Sequence, residues 1–170
     1  MIETERLLLR RPSREDLDAI HRMRSDPAVV RFIGGKPLSR EEAWQRLTRS
    51  AGNWALLGYG FFAVIERASG RLVGEAGLMQ AHRGLGTSFD PFPEAGWVLS
   101  RDVQGRGYAT EAGLVAHDWF ERSFGHQRTV CIIAPENAAS LRVAAKLGYT
   151  PFGSACYHDS PVTMLERRAG

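Results

Sequence analysis

The feature that most restricts this chain is a glycine turn set between an apolar run and an amphipathic one. Glu94-Ala-Gly-Trp-Val-Leu99 reads as a short strand, and a helix is expected over about Thr110 to Ser123. Between them stands Gln104-Gly105-Arg106-Gly107-Tyr108-Ala109. Two glycines two residues apart admit positive φ angles that other side chains resist. Their amides can converge into a concavity, to which the following helix adds its own unpaired N–H groups and positive dipole end. Such a turn holds a phosphate or diphosphate without any basic side chain. A Walker A loop needs Gly-Lys-Ser/Thr after the second glycine, where this chain has Tyr108-Ala109-Thr110. A dinucleotide fingerprint needs Gly or Ala three residues past Gly107, where Thr110 stands, and should open a βαβ unit. Both fail, and Gln-x-x-Gly-x-Ala remains.

The rest of the composition narrows the class. A chain of 170 residues without repeat or linker is expected to be one domain, residues 1–170. The net charge of +3 comes without a Lys/Arg run, so no nucleic-acid partner is expected. No apolar run approaches a membrane span, and the N-terminus has no signal-peptide layout, so a cytoplasmic location is expected. Cys131 and Cys156 make no metal spacing and lie in apolar or aromatic runs. Both are read as reduced core or near-core residues, and no metal is expected.

Along the chain, residues 5–11 read as a first strand ending at Pro12. Ser13-Arg-Glu-Asp16 and Ser39-Arg-Glu-Glu42 are capping boxes that launch two helices, with Asp26-Pro27 closing or kinking the first. Residues 61–65 and 71–78 pair as strands across Ser69-Gly70, and 83–93 form a loop. In the helix from Thr110, Leu114, Val115, Phe120 and Phe124 mark a buried face. Thr129 to Ile133 reads as a central strand, Asn137 caps a last helix ending at Gly148, and two closing strands follow. Helices on both faces of a mixed sheet bury these elements economically, an α/β (α+β) class.

Three separated segments carry a family resemblance. They are Glu94 to Ala112; Asn137-x-x-Ser140-x-Arg142-Val143-Ala144-x-Lys146-Leu147-Gly148-Tyr149; and the opening Thr4-Glu5-Arg6-Leu7-x-Leu9-Arg10. Together they resemble the GNAT N-acetyltransferase superfamily, in the branch of ribosomal-protein N-terminal alanine and serine acetyltransferases, over roughly residues 3–166. The resemblance implies a mixed, mostly antiparallel seven-stranded sheet and acetyl-CoA as co-substrate. The acceptor would be a primary amine, either a peptide N-terminus or a small amine such as a polyamine or antibiotic. A non-catalytic acyl-CoA-binding module is the alternative outside enzymes. The branch also admits a homodimer.

The same resemblance implies the site. Backbone amides around Trp97, Val98 and Leu99 would face the pantetheine arm and the thioester oxygen. Gln104, Gly105, Arg106, Gly107, Tyr108, Ala109 and Thr110 would hold the diphosphate. Asn137 and Ser140 would form the second half, with Ser140 or water protonating the departing thiolate. Many relatives use a tyrosine seven residues after the asparagine, where this chain has Ala144. Glu94 is the first choice for general base, with Glu75 and His82 behind it. An α-amine costs about 1 kcal/mol to neutralise at pH 7 and a lysine roughly 4.6 kcal/mol, so a single carboxylate suits an α-amine better.

Overall fold

The computed structural model describes residues 1–168. In chain order the elements are β1 (Ile2–Glu3), β2 (Leu7–Arg10), α1 (Leu17–Arg24), α2 (Pro27–Val30), α3 (Arg40–Leu57), β3 (Phe61–Glu66), β4 (Leu72–Met79), β5 (Glu94–Leu99), α4 (Tyr108–Phe124), β6 (Thr129–Ile133), α5 (Ala138–Lys146), β7 (Thr150–Tyr157) and β8 (Ser160–Arg167). The strands form one sheet in the order β1-β2-β3-β4-β5-β6-β8-β7. Among the described residues there are eight strands rather than seven, because Ile2–Glu3 adds a short edge pairing against β2. Two residues are too few for the alternation that signals a strand.

Local chemistry explains the helix starts. The Asp16 carboxylate accepts the Ser13 N–H at 2.7 Å and both Arg10 guanidinium arms at 2.6 and 2.7 Å. Ser39 and Glu42 close a full capping box on α3. α1 ends at Arg24, just before Asp26-Pro27 as expected, and Asp26 accepts the Ala28 N–H at 2.9 Å, so Pro27 also opens a short further helix, α2. Gly148, at φ +87°, ends α5 in the left-handed conformation.

The sheet is antiparallel except where β5 meets β6. There the register is a single pair, Glu94 with Val130, backed by the Val130 N–H donating to the Pro93 carbonyl at 3.0 Å. Beyond it the two strands separate, while β6 stays zipped to β8 from Thr129 to Ile133. α1 and α3 cover one face of the sheet and α4 the other. On the α4 side, Leu7, Leu9, Phe62, Val64, Ala76 and Leu99 pack with Tyr108, Ala112 and Ala116. A second cluster joins Phe120 of α4 to Ala144 and Leu147 of α5, with Ala95 and Cys131.

The buried face of α4 differs from the expected one. Leu114 and Phe124 are exposed, and Ala112, Gly113, Ala116 and His117 face inward with Phe120. The helix lies so close that a Cβ on Gly113 would come within 2.8 Å of Leu147, so small residues hold the contact. Cys131 is buried as expected, but Cys156 is exposed because β7 is the edge strand and only one of its faces meets the sheet core.

His117 sits in a closed chain of hydrogen bonds. Its Nδ1–H donates to the Gly113 carbonyl at 2.7 Å, so Nε2 accepts the Tyr149 hydroxyl at 2.8 Å, and that hydroxyl also meets Thr129 Oγ1 at 2.7 Å. Burial pushes the imidazole pKa down from 6.5 to about 4. The unfolded chain therefore binds this proton first, and stability present above pH 6.5 is lost as pH falls toward 4. The loss amounts to about 3 kcal/mol. Urea titrations at pH 7 and pH 4.5 should show this component in the wild type and not in His117→Gln; parallel curves would refute it.

Candidate active site

The glycine turn is held from outside by two carboxylates. Gly105 and Gly107 adopt φ of +79° and +83°, which places both in the left-handed region. Arg6 donates to the Arg106 carbonyl at 2.9 Å and to Glu111 at 2.8 Å, while Thr4 donates to Glu111 at 2.5 Å. Glu66 accepts the Tyr108 hydroxyl at 2.8 Å and the Arg106 guanidinium at 3.0 Å. Side chains thus brace the turn while its amides stay free. Among the described residues, the N–H groups of Gly105, Gly107, Tyr108, Ala109 and Thr110 have no acceptor. A Cβ on Gly105 would meet nothing within 4 Å, so the concavity is open. Those five donors at the start of a 17-residue helix make an anion cradle. Tyr108 presents only its amide to the turn, its ring being buried, while Arg106 gives one guanidinium N–H to Glu66 and stays about half exposed.

The second part is the gap between β5 and β6. The Ser100 N–H donates to the Val73 carbonyl at 2.8 Å, which fixes the alternation along β5. By that alternation the amides of Gly96 and Val98 point to β4 and those of Ala95, Trp97 and Leu99 toward β6, where Ala95 lies at the Glu94–Val130 bridge and Trp97 and Leu99 face the gap beyond it. Gln104 confirms the parity, because its Nε2 donates to the Leu99 carbonyl at 3.1 Å. Of the three residues expected to face an extended ligand, Trp97 and Leu99 do so and Val98 is turned away. Across the gap, Asn137 Oδ1 accepts the Ser140 N–H at 3.1 Å and caps α5, leaving the half-buried Ser140 hydroxyl without a protein partner among the described residues. Ala144 lies in the core with Leu147 and Phe120, so the tyrosine-bearing position is filled by packing here.

The third part lies at the closed end. Glu94 is 3% exposed and receives Arg83 bidentately, 2.6 Å on each oxygen. Burial pushes its carboxyl up, and Arg83 offsets part of that rise. Glu75, on the same sheet face four residues along β4 from the partner of Glu94, is also buried, with Arg24 at 2.6 Å and Arg46 at 3.5 Å. Burial pushes the Glu75 carboxyl up as well, but the two arginines outweigh it and hold the pKa below the usual value. Burial in turn lowers Arg24 to about 10. Glu75 is therefore a structural counter-ion and a poor free base. His82 is exposed at φ +48° in the loop after β4, with no hydrogen bond to either carboxylate. Arg83 escaped sequence reasoning, because it lies in a glycine-rich loop that folds back eleven residues to reach Glu94. Among the described residues no cluster of His, Cys, Asp and Glu could hold a metal ion, and no helix is long and apolar enough to cross a membrane.

A turn of five unpaired amides opens onto a slot faced by the Trp97 and Leu99 amides, and the slot ends at a buried carboxylate. These residues fit a diphosphate joined to an extended thioester arm. The family model described as an acetyltransferase (GNAT) domain matches residues 6–150. The chain belongs to the GNAT acetyltransferase family, and it is an acyl-CoA-dependent acyltransferase using acetyl-CoA. It is similar to the uncharacterized N-acetyltransferase YnaD of Bacillus subtilis, at 29% identity over 86% of this chain and 81% of that protein. A solved GnaT-family acetyltransferase from Bordetella pertussis superposes with TM-score 0.87 at 35% identity, covering 98% of each chain. The spermidine N-acetyltransferase of Vibrio cholerae, solved with CoA and spermine, has TM-score 0.77 over 98% of this chain and 97% of its own. At 18% identity it shares the fold alone.

Two outcomes follow. Gly107→Val should raise the calorimetric Kd for CoA by about tenfold or more, since Val resists φ +83° and its side chain would crowd the Arg6 guanidinium that braces the turn; an unchanged Kd would count against this placement. Arg24→Leu should cost about 3–5 kcal/mol in denaturant unfolding, because it strips Glu75 of its closest partner. A loss under 1 kcal/mol would mean that Arg46 suffices.

Proposed function

We propose that this chain acetylates a primary amine by direct attack in a ternary complex, with a peptide or protein N-terminal α-amine as its preferred acceptor. Acetyl-CoA supplies the acyl group: the amine nitrogen bonds to the thioester carbon, the C–S bond breaks, and CoA departs as thiolate. Gly105, Gly107, Tyr108, Ala109 and Thr110 would hold the diphosphate through their amides. The Trp97 and Leu99 amides, aimed into the gap, would line the arm and face the oxyanion, where fixed donors are worth a few kcal/mol. The ammonium proton leaves to Glu94, directly or through a water, and Ser140 or water returns a proton to the thiolate.

The observation that carries the acceptor class is the Arg83–Glu94 pair. Burial raises the Glu94 carboxyl and Arg83, at 2.6 Å on each oxygen, offsets part of that rise, which leaves one carboxylate of modest basicity. It suffices for an α-amine, which needs about 1 kcal/mol to neutralise at pH 7, and falls short for lysine at roughly 4.6 kcal/mol. The opening Thr4-Glu-Arg6-Leu7 and the Asn137 to Tyr149 segment support placement near the ribosomal-protein alanine and serine acetyltransferases.

A thiol-release assay across α-amino peptides, lysine peptides, polyamines and aminoglycosides tests the acceptor. Glu94→Gln should spare CoA binding and lower kcat roughly 100-fold. An unaltered kcat would remove Glu94 from the chemistry.

A further inference from the structure

Arginines crowd the sheet face that bears Glu75 and Glu94. Arg24 and Arg46 pair with Glu75, and Arg83 pairs with Glu94. Arg49, one turn of α3 beyond Arg46, has no carboxylate partner among the described residues. It is exposed at the mouth of a small cavity that it lines with Arg46, Ser50, Asn53 and Phe61. Burial of its guanidinium end, and then the nearby charges of Arg46 and Arg83, lower its pKa. The cavity reaches Glu75 and Met79, and Met79 is the cross-strand neighbour of Glu94. Ser50 Oγ is buried in the cavity wall without a hydrogen-bond partner among the described residues. Asp90, the other carboxylate near Glu94, is turned to the amides of Gly84 and Gly86 at 3.1 and 2.9 Å. Four guanidinium groups therefore face two carboxylates, and the unmatched arginine stands beside an unpaired hydroxyl.

We propose that Arg49, with Asn53 beside it at the cavity mouth, binds a carboxylate that the acceptor carries close to its amine. The acceptor then enters as a zwitterion, its ammonium toward Glu94 and its carboxylate toward Arg49. This rests on the reading of the cleft as the amine site. A free α-amino acid and a peptide with an acidic first residue both present that layout. A polyamine or an aminoglycoside brings further cations into a site already in positive excess, and like charges at close range select against it.

The test separates binding from turnover. N-acetyl-L-glutamate and its neutral diamide, which mimic product and need no chemistry, are titrated calorimetrically into the CoA-loaded protein. Glutamate, a peptide beginning with glutamate, their amides and spermidine are then compared as acceptors. The acid should bind about tenfold or more tighter than the diamide, as expected for a charge pair at a partly dehydrated arginine. Arg49→Gln should bring that ratio to about one, and Arg49→Lys should keep part of it. The proposal is overturned if acid and diamide bind alike, if neither binds, or if Arg49→Gln retains the preference. Faster turnover of free glutamate or of the glutamate peptide identifies the source, and either supports the proposal. An acid preference in binding with no amine acetylated supports the carboxylate site and defeats the catalytic reading.

Discussion

Everything in this active site follows from the parting of two parallel neighbours after one pairing. β5 and β6 share the Glu94–Val130 register and nothing beyond it, because β6 commits its ladder to β8 while β5 commits to β4. Backbone N–H groups seldom stay unpaired inside a protein, so a slot edged by the amides of Trp97 and Leu99 demands an extended partner with acceptors of its own. The chain supplies one stand-in at the open end, where the Gln104 side chain occupies the Leu99 carbonyl. The glycine turn lies at that open end and Glu94 at the closed end, so a thioester held as proposed would have a direction as well as a place.

The cradle is stiff for reasons that lie far off in sequence. Arg6 bridges about a hundred residues to Glu111 and the Arg106 carbonyl, and Glu66 reaches Tyr108 and Arg106 from β3. These bonds spend side chains on holding the turn and leave its amides for a ligand. They also explain why Thr4-x-Arg6 and Gly107-Tyr-Ala-Thr-Glu111 occur together: each is half of one clamp. Opposite-charge pairs that are only partly exposed hold geometry better than they add stability, and geometry is what an anion cradle needs.

Parts governed by short-range chemistry could be read from the chain. The glycine turn, the Ser39 box, the Asn137 cap and the Gly148 stop are local rules about φ angles and unpaired N–H groups, and each appears where those rules place it. The start of α4 at Tyr108 rather than Thr110 is the usual looseness of a helix end. Parts governed by register between distant elements could not. Nothing near Glu75 announces Arg24, 51 residues earlier, and nothing near Glu94 announces that the Arg83 loop returns to it. The helical spacing of Arg46 and Arg49 was a visible signal, but its meaning depends on which sheet face α3 covers. Leu114 and Phe124 misled because hydrophobicity alone does not reveal that α4 approaches closely enough to need alanine and glycine at the contact.

The forked sheet also bears on the protein's life without its co-substrate. A row of unpaired strand amides is a template that any stray extended peptide could zip onto, whether from this chain or another. CoA, by acting as the missing rung, would blunt that edge and add stability that grows with the logarithm of its concentration. Folding yield and shelf life would then follow the cell's acyl-carrier supply, quite apart from any acetylation the protein performs.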